Sequence, residues 1–410
     1  GSETFLNVFV FFLIFAGIIL DKMGVRFTAI LSGAVMLVGA TINWYALTDM
    51  FAGSNLEVWF NEHLNYIPGF DELGVSPFYK GMPASAKFSA IGFMIFGCGV
   101  EMAGITVSRG IVKWFKGREM ALAMGSEMAL ARLGVATCMI FSPMFARLGG
   151  EVSVSRSVAF GVVLLMIALI MFIVYAFMDK KLDSQTGEAE EKDDPFKLSD
   201  LGKILTDSGF WLVALLCVLY YSAIFPFQKY AVNMLQCNLV FHQVDPSSIW
   251  ASNTITIIQY VIMLVVAACA FASNFSKNKV AKYGLMGVAI VALVVFCYMG
   301  YMRQSAETVF AVFPLLAVGI TPILGNYVDH KGKAATMLVL GSLLLIACHL
   351  TFAFVLPAFK GSEVGGIIVA YITILVLGAS FSLVPASLWP SVPKLVDEKI
   401  IGSAYALIFW

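Results

Sequence analysis

Apolar residues in this chain fall in runs long enough to cross a lipid bilayer, and that fact decides what it can fold into. The runs cover 4–20, 27–48, 86–112, 119–146, 156–178, 209–235, 249–273, 283–302, 308–328, 334–357, 364–391 and 400–410. A spanning helix needs about 20 apolar residues, because the hydrocarbon core is about 30 Å thick and each helical residue rises about 1.5 Å. Every interior run meets that length. The first barely does, and the last, ending at Trp410, is about half a span. Within hydrocarbon the backbone must satisfy its own hydrogen bonds, and runs of this length do so as helices. The expected fold class is therefore all-α, a polytopic membrane protein. Composition agrees: 13% of residues are charged and mean hydropathy is +0.88, against roughly 25% charged in a soluble domain. Basic and acidic residues balance at 26 each, which excludes the basic excess of a nucleic-acid binder.

Lysine and arginine positions test the span count independently. If the connection Asp21 to Arg26 is cytoplasmic, alternation puts 17 basic residues in cytoplasmic segments and 6 on the other side. The remaining three, Arg109, Arg132 and Lys229, lie within runs. A positive-inside bias that survives every crossing supports the count. Two connections are long. Residues 49–83 lie outside, and residues 179–208, with the polar run KLDSQTGEAEEKDDPFKLSD, lie inside and read as a linker between two bundles. The seven cysteines show no CxxC and the four histidines no metal-ligand spacing, so neither a metal nor a cofactor is expected. No catalytic triad, HExxH or GxxxxGK[ST] pattern points to an enzyme or to direct use of ATP.

A few charges remain at membrane depth, where each costs a few kcal/mol and usually faces a cavity or a partner. They are Glu101 and Arg109 on the third run, Glu127 and Arg132 on the fourth, and Lys229 on the sixth. Glu101 and Arg132 both fall near mid-depth on consecutive antiparallel helices. One reading makes them a mutual ion pair. The other makes them a split anchor, Arg132 offering a planar fork to a carboxylate and Glu101 accepting from an ammonium, as suits a zwitterion. Arg109, about 12 Å nearer the cytoplasm, either snorkels or meets Glu127. Tyr220 and Tyr221 lie near mid-depth on a run that Pro226 should kink. Trp389 lies near the cytoplasmic end of the eleventh run, which Pro385, Pro390 and Pro393 make irregular.

A repeat is also legible. GIILDKMGVR (17–26) and GNYVDHKGK (325–333) each carry a glycine, an aspartate four residues on, then a basic residue and a glycine. The residues concerned are Gly17, Asp21, Gly24 and Arg26 in the first copy and Gly325, Asp329 and Gly332 in the second. Both copies fall at helix ends assigned to the cytoplasm, where an acid can cap a helix or pair with a neighbouring loop.

These two patterns resemble the signature loops of the major facilitator superfamily. WFKGREMALAMGSEMALARLG (114–134), WLVALLCVLYYSAIFPF (211–227), GNYVDHKGK (325–333) and LWPSVPKLVDEKIIGSAYA (388–406) are similar to one branch of it, the lysosomal dipeptide transporters of animals and their bacterial relatives. The resemblance implies two six-helix bundles that alternate access around a central site. It implies an N-terminal bundle over 1–178 (family helices 2–6), the linker 179–208, and a C-terminal bundle over 209–410 (helix 7 to the start of 11), with extra spans at about 249–302. It makes Glu101 and Arg132 the groups that hold the amino and carboxylate ends of a dipeptide, with Tyr220, Tyr221 and Trp389 beside them. Both ends of the sequence are expected to fall short of the family's full set of helices. A Gly-Arg pattern of the family's fourth helix reads Gly92-Phe93 here. Lysosomal members work with a glycosylated accessory protein. The single Asn-x-Ser/Thr pattern, Asn274 to Ser276, falls in a cytoplasmic loop, which favours a bacterial plasma membrane over a lysosomal one.

The expected function is a secondary transporter of dipeptides or similar small zwitterions, its partners being that small molecule and membrane lipid. Two alternatives stand beside it: a transporter of small organic anions held mainly by Arg132, and a non-transporting membrane receptor or assembly subunit.

Overall fold

A computed structural model describes residues 5–6, 12–63, 82–115, 120–186, 206–331, 333–389 and 407–408. Among these residues the long elements are all helical: α1 Phe12–Ala46, α2 Asn55–His63, α3 Ala84–Trp114, α4 Met120–Ala146, α5 Val154–Thr186, α6 Ser208–Asn238, α7 Asn253–Phe275, α8 Lys279–Met302, α9 Ala306–Lys331, α10 Ala334–Leu350 and α11 Gly365–Leu388. Nine helices among the described residues are long and apolar enough to cross a membrane. The polytopic all-helical fold is thus as expected. Interior run 308–328 lies within α9. The chain divides into two compact units. One comprises 1–116, 145–206 and 398–410, the other 117–144 and 207–397.

In the first unit, α1 is two helical segments that meet at Gly24, whose φ of 79° only glycine adopts without strain. The second segment packs on α3 backbone to backbone. A β-carbon at Gly92 would lie 2.7 Å from Asn43 N, and one at Gly99 would lie 2.6 Å from Met36 N. Gly39 faces the backbone of Phe96 across the same seam. Small residues win here because helices in lipid gain no hydrophobic driving force from one another, so close packing must hold them together. Ser89 and Asn43 hydrogen-bond across the seam.

At one end of this pair the rings of Phe51 and Phe88 stack at 5.4 Å, with Phe60 5.3 Å from Phe88. Phe60 comes from α2, within a segment whose sequence reads as a plain loop. The signal was present: Leu56 and Phe60 are four residues apart, and Ser54 and Glu57 have capping-box spacing. Ser54 Oγ accepts from Glu57 N at 3.2 Å, and the Glu57 carboxylate accepts from Gly53 N at 2.6 Å.

At the other end, α5 runs on to Thr186, through the head of the stretch read as linker. Asp179 and Asp183, four residues apart, share a helix face and gather two cations. Lys113 Nζ lies 2.8 Å from each carboxylate, and Arg26 Nη2 lies 2.8 Å from Asp183. Trp114 Nε1 donates to Asp179 Oδ1 at 2.9 Å. Asp179 has no exposed side-chain surface. Burial works against the charge on Lys113, but hydrogen bonds to Asp179 and Asp183 outweigh it and hold its pKa above the ordinary lysine value.

In the second unit α11 is the hub, buried along most of its length and packed on α6, α9 and α10. A β-carbon at Gly378 would lie 3.0 Å from Phe313 O on α9, and one at Gly341 on α10 would lie 2.6 Å from Val384. Helices α7 and α8 form a hairpin against α9. Ser252 caps α7 and Asn278 caps α8. Helix α10 passes through a π turn at Thr351–Val355 before its last residues, Leu356–Ala358.

Two stability outcomes follow from the first unit. Asp179→Asn should lower stability by about 2–3 kcal/mol, since removing one partner strands charges in a partly buried cluster. Asp183→Asn, at a more exposed carboxylate, should cost less. Thermal unfolding in detergent reads both, and equal losses would contradict the burial difference. Because the pKa of Lys113 is raised on folding, its contribution is complete below about pH 10, the unfolded value. It fades as pH rises through the folded value, so the gap between wild type and Lys113→Met should narrow only in strong alkali. Separately, Gly39→Ala should cost about 1–3 kcal/mol by overpacking the seam.

Candidate functional site

Arg132 lies in the middle of α4, a helix rich in alanine, methionine and leucine, all good helix formers. Its guanidinium carbon sits 3.9 Å from the centroid of the Phe381 ring on α11. A cation over an aromatic face is worth about 2 kcal/mol when desolvated. The contact involves no hydrogen bond, so it uses none of the five N–H donors of the arginine. Phe381 is almost wholly buried, and its ring lies 5.1 Å from Phe313, which in turn stacks on Phe310 at 5.6 Å.

A hydrogen-bonded seam fixes the backbone under Phe381. Ser380 Oγ donates to Gly341 O at 2.7 Å, joining α11 to α10. Tyr220 OH donates to Ser380 O at 3.1 Å, joining α6 to α11. Tyr221 is set at right angles to Tyr220, with ring centroids 5.6 Å apart. Its hydroxyl accepts from Trp389 Nε1 at 3.3 Å. Tyr220, Tyr221 and Glu127 all lie within electrostatic range of Arg132.

One unit therefore gathers Arg132, Glu127, Tyr220, Tyr221 and Trp389 from helices α4, α6 and the end of α11. Sequence reasoning missed Phe381 and Ser380. Nothing local separates Phe381 from the rest of the 34 phenylalanines of this chain, and only its place under Arg132 does so.

Glu101 and Arg109 lie on α3 in the first unit, both half-buried, with Glu101 in electrostatic range of Cys98 one turn earlier. Gly17, Asp21 and Gly24 lie on α1 in the same unit, as does Arg26 with its two aspartate partners. Gly325 and Asp329 lie on α9. Gly332, Pro390 and Pro393 fall outside the described residues. Among the described residues no cluster of His, Cys, Asp and Glu could hold a metal ion.

Chemically, the Arg132 grouping offers a planar cation with free donor capacity, two phenols and an indole. That set suits a carboxylate attached to an apolar or aromatic body.

The profile described as Major Facilitator Superfamily matches residues 4–307. The chain is 23% identical over 326 residues to the lysosomal dipeptide transporter MFSD1 of Bos taurus, covering 78% of this chain and 54% of that protein. It is 23% identical to the transporter of the same name from Gallus gallus over 78% of this chain and 57% of the relative. Against the Homo sapiens protein the identity is 22%, over 77% and 54% respectively. The chain thus spans about half the length of these curated relatives. With the profile covering most of the sequence and the helical architecture in agreement, this chain belongs to the major facilitator superfamily, a family of membrane transporters.

Proposed function

We propose that the chain moves dipeptides or similar small zwitterions across a membrane by alternating access, with Arg132 binding the carboxylate end and Glu101 the ammonium end. The observation that carries this reading is Arg132 itself, a cation in the middle of an apolar helix, set over Phe381 within range of Tyr220 and Tyr221. A charge kept at such a cost implies a ligand or partner for it. Glu101 stands near the middle of α3 as Arg132 does near the middle of α4. The names of the relatives, all lysosomal dipeptide transporters, support the cargo class. A zwitterion carries one charge complementary to Arg132 and one complementary to Glu101.

The proposal keeps the division into bundles at 1–178 and 209–410, the linker between them, and the extra spans near 249–302. Gly17, Asp21, Gly24, Arg26, Gly325, Asp329 and Gly332 serve as the inner latch. Arg109 and Glu127 are assigned the coupling role. The membrane is a bacterial plasma membrane, with an accessory membrane protein only in a lysosomal setting.

The gathering of Arg132 with aromatic groups in one unit favours a second reading, a small organic anion held by Arg132 without Glu101. Uptake by the complete protein in proteoliposomes separates the two. For a dipeptide, Glu101→Gln and Arg132→Ala should each cut kcat/KM about 10- to 100-fold, the loss of one charge-assisted hydrogen bond. Arg132→Lys should not rescue, because an ammonium cannot supply the planar fork. For an organic anion, Glu101→Gln should leave uptake intact. Phe381→Leu should raise KM for either cargo about fivefold, by removing the ring that positions the guanidinium. Unchanged dipeptide uptake in both charge variants would end the proposal.

A further inference from the structure

Helices α7 and α8 form the hairpin to which the transport reading gives no role. They have 23 and 24 residues. At about 1.5 Å per residue each is about 35 Å long, slightly more than hydrocarbon about 30 Å thick. Their shared turn therefore stands at headgroup level. Only Ser276, Lys277 and Asn278 join the two helices. Ser276 Oγ donates to Asn278 O at 3.2 Å, and the Asn278 side chain accepts from Val280 N at 2.9 Å. The turn is thus short and internally bonded, so the two helix ends fix where its side chains stand.

Charge along this hairpin is of one sign. Residues 246–306 contain no aspartate or glutamate, and their basic residues are Lys277, Lys279, Lys282 and Arg303. The three lysines fall within positions 277–282, at the turn. Lys277 and Lys279 are exposed and Lys282 is half-buried. Lys279 and Lys282, three residues apart on α8, share a face. Among the described residues none of the three has an ion-pair partner. Apolar neighbours also face outward: Phe275, Val280 and Tyr283 are all exposed. The hairpin packs on α9, whose end carries Asp329 and Lys331, and exposed Lys333 follows. That adjoining helix end is therefore net basic as well.

We infer that the α7–α8 turn docks on anionic phospholipid, its three lysines meeting headgroup phosphates. The alternation of basic residues assigns this turn to the cytoplasmic leaflet, and basic segments at the membrane surface are drawn to anionic lipid there. A lysine stem lies along apolar surface while its ammonium, with three donors, reaches the phosphate level. A tyrosine ring, apolar in body and polar at its tip, suits the same boundary. Exposed apolar side chains among lysines, at the ends of two spanning helices, fit a surface that is anionic above and oily below. A soluble anion offers only the first of these. Docking would hold the hairpin at a fixed depth beside α9. It depends on the membrane and not on any cargo, so it stands apart from the transport reading.

The test uses the full chain in nanodiscs of phosphatidylcholine carrying increasing fractions of phosphatidylglycerol. Backbone hydrogen exchange at 276–283 reads occupancy of the turn. In wild type, exchange there should slow as phosphatidylglycerol rises. In the variant that combines Lys277→Gln, Lys279→Gln and Lys282→Gln, the fraction giving half the effect should rise at least about tenfold, since each lysine near an anionic surface contributes about fivefold. A second variant, Lys277→Arg with Lys279→Arg and Lys282→Arg, keeps the charges and should respond as wild type does. Exchange that ignores phosphatidylglycerol in wild type, or an identical response in the glutamine variant, would overturn the inference. Equal slowing by inorganic phosphate added to pure phosphatidylcholine discs would overturn it too, because the turn would then be a site for a soluble anion. Failure of the protein to move any dipeptide would remove the transport reading and leave these outcomes untouched.

Discussion

Hydrocarbon offers no hydrogen bonds, so each polar group inside the spans must find its partner within this chain. That constraint orders the molecule. It turns the long apolar runs into helices, and it sends the remaining polar side chains to backbone carbonyls or to one another. Thr28, Thr106, Thr373 and Ser382 each donate to the carbonyl one turn back on their own helix. Ser380 and Tyr220 instead donate across helices. In the second unit these cross-helix bonds stitch α6, α10 and α11 together where Arg132 meets Phe381.

The charged groups follow the same rule at different depths. Beside the Gly24 break of α1 and towards the ends of α3 and α5, Arg26, Lys113, Asp179 and Asp183 neutralise one another in a compact cluster. Arg132, in mid-helix, lies over an aromatic face and within range of two phenols. The first arrangement is closed, because its charges already match. The second places its cation over a ring and takes up none of the guanidinium N–H donors in that contact.

Much of this was legible in advance. Run length marked the helices, because bilayer thickness acts on sequence directly. Mid-depth position marked Arg132 and Glu101 as costly residues. The α2 helix was overlooked although its cap and its Leu56–Phe60 spacing are visible. Its burial against Phe51 and Phe88 is what makes that weak signal count. The head of the presumed linker proved to be helix, since Asp179 and Asp183 gain their partners only from α1 and α3. Gly92, Gly99 and Gly104 all lie on α3, yet Gly92 and Gly99 face a neighbouring backbone while Gly104 faces open space.

The sequence by itself determined the class of the protein, its spans and the list of ionisable residues in hydrocarbon, because those depend on composition and period along one dimension. The tertiary structure decided which ring lies under Arg132 and which glycines touch backbone. Those contacts join residues up to 249 positions apart, as with Arg132 and Phe381. They exist only after helix packing has chosen among many apolar side chains that are equivalent until they meet a neighbour.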